Sequence, residues 1–243
     1  MPADAIPISE SERRQLNERY AEIATLAGGL AHEIRNPLST ISLNLELLQE
    51  DLGDLEVPQA RRMMQKVQVV QRECRNLEGI LEAFLQFTKS GSPQREPTDL
   101  NELIGEFLQF WGAKARDSGI EISPHLAADL PKVSLDPALM RQVLMNLAQN
   151  AQQAMPHGGL LEVQTRLKNN AVQIEMIDTG TGMDERTRGR IFEAFYSRRP
   201  GGTGLGLPTV RKVIEAHEGS IECESEVGRG TRFRITLPTG ADS

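Results

Sequence analysis

Apolar residues follow two different rhythms along this chain. In its first third they recur at Ile23, Ala27, Leu30, Ile34, Ile41 and Leu48, in helical steps with one gap at Pro37. That spacing predicts the seam of a coiled coil or helical bundle. A second run repeats it at Met63, Val67, Val70, Cys74, Leu77, Leu81 and Phe84. Between the runs, Asp51-Leu52-Gly53-Asp54 and Pro58 interrupt the pattern and predict a hairpin connection. Two antiparallel helices with one apolar stripe each cannot bury those stripes fully. The economical solution is a dimer forming a four-helix bundle. A hairpin packed on its own C-terminal domain is the alternative.

Ser90-Gly91-Ser92-Pro93, with Pro97 beyond, marks a break. The rhythm then becomes mixed. Residues 99–111 read as a helix and 120–122 as a short strand. Asp136-Pro137 reads as an N-cap and first-turn proline opening a helix to about Met155. Strands are expected at 161–167 and 172–177, a helix at about 203–217, and closing strands at 220–225 and 231–237. Helices on one side of a mixed, mostly antiparallel sheet make an α+β architecture. The expected organisation is a helical domain over 1–91, a linker over 92–97 and an α+β domain over 98–239.

Composition adds exclusions. The 243 residues carry 27 Lys plus Arg against 34 Asp plus Glu, a net charge of −7. Such a chain has no overall field favouring DNA or anionic lipid, so nucleic acid is not expected as a partner. Cys74 and Cys223 stand far apart without metal-ligand spacing, which disfavours a zinc site or a disulfide framework. No apolar run reaches the ~18 residues of a membrane span, and residues 1–11 lack the layout of a signal peptide. A cytoplasmic protein without membrane insertion is expected.

His32 is the first candidate for chemistry. With Leu30 and Ile34 in the seam, it lies about 200° round the helix from each, on the outward face. An imidazole near its ordinary pKa is largely neutral at cytoplasmic pH, and its bare nitrogen can act as a nucleophile. Glu33 follows at once, placed to accept the other ring proton. Two glycine-rich stretches supply a second chemistry. Asp178-Thr179-Gly180-Thr181-Gly182-Met183 follows a strand, and Gly201-Gly202-Thr203-Gly204-Leu205-Gly206-Leu207 opens a helix. Glycine turns and helix N-termini offer backbone N–H groups to phosphates. Neither stretch is a Walker loop, since GxxxxGK[ST] is missing.

The string LAGGLAHEIRNPLSTI around His32 resembles the phospho-acceptor motif of sensor histidine kinases, the proteins that start two-component signalling. Further on, NLAQNA, DTGTGM, IFEAFYS and GGTGLGL resemble, in order, the four boxes of that family's ATP-binding domain. That domain shares its Bergerat-type α/β-sandwich fold with gyrase and MutL-type ATPases. The resemblance spans roughly residues 97–238 and, with the acceptor motif, nearly all of the chain.

The resemblance implies an ATP-dependent autokinase that uses Mg²⁺. His32 takes the γ-phosphoryl group with Glu33 as general base, and an aspartate of a response regulator's receiver domain receives it next. Asn36 stands where the family keeps a residue orienting water for dephosphorylation of that partner; it reads equally as a turn-former before Pro37. Asn150 matches the Mg²⁺-ligating amide, and Asp178 the carboxylate that accepts from the adenine amino group. Gly180, Gly182 and Met183 shape the turn beside the base. Gly202, Thr203, Gly204, Leu205, Gly206 and Leu207 form the phosphate cradle. Residues 183–201 would be a mobile lid anchored by Phe192 and Phe195, or those rings are plain core. Arg199 stands near the γ-phosphate in place of a common lysine.

Asn146, also facing the nucleotide, occupies the position where the hydrolysing relatives keep a water-activating glutamate, which favours kinase over hydrolase. Ala194, Gln153 and Glu218 depart from the family pattern, the last interrupting a His-Gly-Gly before a strand. A nucleotide-sensing scaffold that leaves His32 unmodified is a rival reading. A serine kinase of the anti-sigma type is another, and the helical hairpin counts against it. The stimulus comes from a separate sensor protein, or the chain is the core of something longer.

Overall fold

The computed structural model describes residues 34, 36–50, 52, 58–89, 93–199 and 202–239. The chain divides into two compact units whose border in sequence lies at Lys89 and Ser90, with Arg199–Thr203 grouping apart from the second. In the first, a helix α1 (36–50) is followed by α2 (Pro58–Lys89). Leu45 on α1 and Leu52 beyond it cluster with Ala60, Met64 and Val67 on α2, and Leu38 and Cys74 are buried on the same two segments. Leu38, Leu45 and Leu52 step by seven, as do Ala60, Val67 and Cys74 with Met64 between them. Gln71 is buried among them and its Nε2 donates to Gln49 Oε1 at 3.1 Å.

Of the seam expected in the first run, Ile23, Ala27 and Leu30 lie outside the described residues, and the rest does not face the other helix of the hairpin. Ile34, Ile41 and Leu48 are 40%, 44% and 43% exposed, and Met63, Val70 and Leu77 are exposed as well. Each helix therefore carries two apolar stripes rather than one. The stripe facing the other helix of the hairpin lies four residues on from the one read in α1. The second expected run mixed both stripes of α2.

In the second unit, a two-stranded sheet pairs β1 (Glu96–Thr98) with β3 (Val133–Leu135). The main sheet contains β2 (Ile120–His125), β4 (Gly159–Lys168), β5 (Ala171–Asp178), β6 (Ser220–Glu226) and β7 (Gly230–Pro238), in the order β2-β4-β5-β7-β6. Only β2 with β4 is parallel. A parallel pair needs a crossover, and the helix α4 (Pro137–Ala154) supplies it. Asn169 and Asn170, both at positive φ, close the β4–β5 hairpin as a two-residue turn.

Helices α3 (Leu100–Asp117), α4 and α6 (Gly206–Ala216) cover one face of the main sheet, with Trp111, Met140, Leu144, Leu147, Ile174, Ile214 and Ile235 in the core between them. A short α5 (Glu185–Arg188) lies between β5 and α6. Asp99 caps α3 and Asp136 caps α4, each accepting from two backbone N–H groups of the first turn. Asp136 also accepts from Gln94 N–H at 2.9 Å, so the chain entering this unit is tied to the start of α4. The expected helices and strands are present. Helix α3 runs six residues beyond its expected end, and β1, β3 and α5 have no counterpart in the sequence reading.

Candidate active site

Helix α4 turns Met140, Val143, Leu144, Leu147, Ala148 and Ala151 into the core. Asn146 and Asn150, four residues apart, share a different, half-buried face. Asn146 Nδ2 lies 3.4 Å from the Gly206 carbonyl, a long bond that places α4 beside the start of α6. The Asn150 amide makes no hydrogen bond to another described residue. A Cβ at Gly206 would lie 3.7 Å from Asn146 Oδ1, in ordinary contact, so the two helices pack closely here.

Helix α6 begins unlike its neighbours. Asp99, Asp136 and Asp184 cap α3, α4 and α5 with side-chain oxygens, whereas Leu205 at the start of α6 supplies no such bond. The cap residue therefore gives the first-turn N–H groups of Gly206 and Leu207 no side-chain acceptor, and such a turn, with the helix dipole, suits an anion. Gly204 ahead of it has φ +66, and a Cβ there would run into the backbone of Phe195 and Tyr196 at 2.5–2.8 Å. Phe195 N–H in turn donates to the Gly204 carbonyl at 3.0 Å. Leu205 is buried, Gly206 and Leu207 are half-buried, Thr203 is half-buried, and Gly202 and Arg199 are exposed.

Asp178 ends β5. It is 5% exposed and its Oδ1 accepts from Gly180 N–H at 2.9 Å. Gly180 packs so tightly on the end of α4 that a Cβ would lie 2.7 Å from Ala154. Thr181 N–H donates to the Ala154 carbonyl at 3.0 Å, fixing the turn to that helix. Gly182 takes φ +63, and its missing Cβ makes room for the Glu226 carbonyl. Within the second unit, then, Asn146 touches Gly206 at the start of α6, and the Asp178–Gly180 turn is fixed to the end of α4, the helix that also carries Asn150.

Beyond this turn, Asp184 caps α5 and lies 3.5 Å from Arg198, whose Nη1 donates to Thr187 Oγ1 at 2.9 Å. Hydrogen bonds from the Thr187 hydroxyl and N–H, with the charges of Arg198 and Arg186, hold the Asp184 carboxyl below its ordinary range. Phe192 packs on the core with the Arg211 guanidinium 3.9 Å above its ring. Phe195 does not anchor anything: it is 65% exposed at φ +64. Of the two aromatic anchors expected, only Phe192 is in place. The Phe195 backbone, not its ring, makes the contact.

His32 and Glu33 lie outside the described residues. Asn36 is exposed and helical, with its carbonyl accepting from Thr40 Oγ1 at 3.1 Å, so it forms no turn before Pro37. Sequence reasoning passed over Ser225, Gly230 and Thr231. The signal was available in Gly228-Arg229-Gly230-Thr231, a further pair of spaced glycines at the opening of a strand. Gly230 has φ +86 and its missing Cβ leaves room for the Asp178 carbonyl. Cys223, near Asp178 and Arg188, is no nucleophile: burial above all pushes its thiol up to about 12.

A helical hairpin is thus followed by an α/β layer with an uncapped helix, an amide face and a carboxylate-anchored glycine turn. Two family models match in sequence order. His Kinase A (phospho-acceptor) domain matches residues 22–93, and Histidine kinase-, DNA gyrase B-, and HSP90-like ATPase matches residues 135–241. Sporulation kinase E of Bacillus subtilis (strain 168) is 34% identical over 235 residues, 94% of this chain and 31% of that protein. Sensor histidine kinase ZraS of Escherichia coli (strain K12) is 32% identical over 221 residues, 91% of this chain and 46% of that protein. Among solved structures, full-length ShkA in complex with AMPPNP superposes with TM-score 0.71 at 26% identity, covering 90% of this chain and 46% of that one. Histidine kinase ThkA in complex with the response regulator protein TrrA gives 0.66 at 26% identity, covering 97% and 68%. The chain belongs to the sensor histidine kinases. It spans about a third to a half of the length of the curated relatives above.

Proposed function

We propose that this chain is the catalytic core of a protein-histidine autokinase. The second unit binds ATP, and His32 accepts the γ-phosphoryl group and hands it to an aspartate of a response regulator. The observation that carries this reading is the convergence on one edge of the second unit of the Asn146/Asn150 face, the Asp178 turn and the uncapped start of α6. Asp178, at the end of β5, accepts from the adenine amino group. The N–H groups of Gly206 and Leu207, with Gly204 and Leu205 before them, hold the phosphates; Gly202, Thr203 and Arg199 are assigned to the same task by their place in the sequence motif alone. Gly180, Gly182 and Met183 form the floor under the base, and residues 183–201, with Phe195 at their outer edge, close over it.

The Asn150 amide fits a Mg²⁺ ion, which takes few protein ligands and completes its shell with phosphate oxygens and water. Bound there, the ion neutralises charge on the phosphates. Asn146 holds no basic carboxylate, so nothing at that position activates water against the γ-phosphorus. His32 then attacks through its unprotonated ring nitrogen: an N–P bond forms, the bond to the β-phosphate oxygen breaks, and Glu33 takes the other ring proton. Such a transfer depends chiefly on positioning and charge stabilisation. Asn36, exposed one helical turn beyond His32 in sequence, orients water when the partner's phosphoaspartate is cleaved. The exposed stripe Ile34, Ile41, Leu48 and Met63, Val70, Leu77 is covered by a second copy, giving a homodimeric four-helix bundle.

Incubation with γ-labelled ATP and Mg²⁺ tests the reading. Acid-labile, alkali-stable label that disappears in His32→Gln is expected. Acid-stable label, or label undiminished in that variant, overturns it. ATP binding without any phosphoprotein would instead favour a nucleotide-sensing scaffold.

A further inference from the structure

Asp178, Thr231 and Ser225 form a single row across three strands. Asp178 is opposite Thr231 in the β5–β7 pair, and Thr231 is opposite Ser225 in the β6–β7 pair. All three fall on the helix-facing side of the sheet, in alternation with Met176, Phe233 and Cys223. Asp178 and Thr231 are 5% and 6% exposed, and Ser225 is half-buried.

The Ser225 hydroxyl sits at a junction of three bonds. It accepts from Met183 N–H at 2.9 Å, donates to the Gly230 carbonyl at 2.9 Å and lies 3.0 Å from Thr231 Oγ1. A hydroxyl has one proton. Since that of Ser225 goes to Gly230, Thr231 must be the donor in the third bond. Thr231 Oγ1 is then left with lone pairs alone for anything else that approaches it. Beside it stands the Asp178 carboxylate, which is also an acceptor. A neighbouring pair of acceptors suits a ring amino group with two N–H donors, as in adenine, and opposes the carbonyl oxygen of guanine.

The same hydroxyl fixes one end of the 179–183 turn. Thr181 is bound at both its backbone polar groups, N–H to the Ala154 carbonyl and carbonyl to Gly228 N–H at 2.8 Å. Met183 N–H has the Ser225 hydroxyl as its side-chain partner from β6. Without that oxygen, the turn is held at Thr181 and by packing at Gly182, but not at its exit toward α5.

We infer that Ser225 is a positioning residue for base recognition: it holds Met183 and turns the Thr231 hydroxyl so that only its lone pairs face the base. This rests on the nucleotide reading of the Asp178 turn. Ser225→Ala frees Met183 N–H and lets Thr231 rotate its proton outward, so ATP binding weakens while GTP is less strongly rejected. One lost hydrogen bond corresponds to about a three- to tenfold change.

The test is equilibrium binding of Mg²⁺-ATP and Mg²⁺-GTP to the whole chain, with thermal unfolding recorded in parallel. Ser225→Ala is expected to weaken ATP about three- to tenfold and to lower the ATP-to-GTP preference. Ser225→Thr restores both by returning a hydroxyl. A structural defect alone would weaken the two nucleotides equally and leave their ratio unmoved. Thr231→Val serves if Ser225→Ala fails to fold, with the same fall in preference expected. Unchanged preference in either folded variant overturns the inference but leaves nucleotide binding intact. Wild-type chain that binds neither nucleotide overturns the parent reading along with it.

Discussion

Glu175 gives a stability prediction whose size can be worked from the structure. It lies on the sheet face opposite the helices, yet is only 4% exposed. Arginines from the flanking strands cover it. Arg166 Nη2 and Arg234 Nε both lie 2.6 Å from Oε1, and Arg232 Nε lies 3.8 Å from Oε2. Glu222 and Glu224 hold the outer ends of Arg234 and Arg232 at 3.1 and 3.0 Å. Burial alone would raise the Glu175 carboxyl. The Arg234 hydrogen bond and the charges of Arg166, Arg234 and Arg232 outweigh it and hold the group below its ordinary value of 4.5.

Glu175→Gln keeps the shape, removes the charge and turns an N–H₂ toward guanidinium donors. A hydrogen bond to a charged group is worth about 1.5–3 kcal/mol, and two are lost. The arginines keep 22–45% of their side-chain surface in water and retain other acceptors, so much of that is recovered. The expected net cost is about 2 kcal/mol, or roughly 4–8 °C in the melting of the second unit. Circular-dichroism melts of both chains from pH 7 downward provide the assay. A group with a depressed folded pKa stabilises above its unfolded value and loses that contribution as pH falls through the folded one. The gap between wild type and variant is therefore level from pH 7 to about 4.5 and closes below. A gap under about 0.5 kcal/mol at pH 7, or one that widens on acidification, refutes the reasoning.

Asn150→Ala should weaken Mg²⁺-ATP binding at least about tenfold while shifting the melt by less than about 0.5 kcal/mol, since its amide bonds no described residue. Equal loss of binding with and without Mg²⁺ would count against a metal role. Glu218 stands at φ +60, where a side chain costs about 1 kcal/mol, and its carboxylate meets Arg95 at 2.9 Å with 72% of its side chain exposed. Glu218→Gly and Glu218→Gln both lose the ion pair but only the first relieves the backbone. The glycine variant should melt roughly 2–4 °C above the glutamine variant; equal melts would show that the strain is absent. Ile41→Asp, on the exposed stripe, should abolish self-association without loss of helix, whereas an unchanged mass in sedimentation would remove that stripe from the dimer contact.

How much of this was legible depended on how local each cause was. Asp136-Pro137 announced α4 because a cap and a first-turn proline act within four residues, and the helix begins at Pro137. The strands around Asn169-Asn170 were legible for the same reason. Strands β1 and β3 were not, because three residues carry no period and exist only by pairing with each other across the 34 residues between them. In the hairpin, the spacing gave helices but not their phase. Two stripes of the same heptad period lie on each helix, and a list of apolar residues cannot say which faces the sister helix and which faces outward. Leu45 and Ile41 are equally good seam residues on paper; only the fold sorts them, leaving Leu45 half-buried and Ile41 44% exposed.

The site divides along the same line. Gly180, Gly182 and Gly204 could be picked out because their backbone conformations or close approaches exclude a side chain, a constraint written into residue type. Ser225 and Thr231 could not, since a serine and a threonine in a strand are ordinary until the register sets them in one row with Asp178. What recognises a base here is thus split between a turn that sequence encodes locally and a row of acceptors that exists only through the pairing of β5, β7 and β6. A substitution that shifts that pairing by one residue would turn Asp178, Thr231 and Ser225 away from one another while leaving every glycine motif intact.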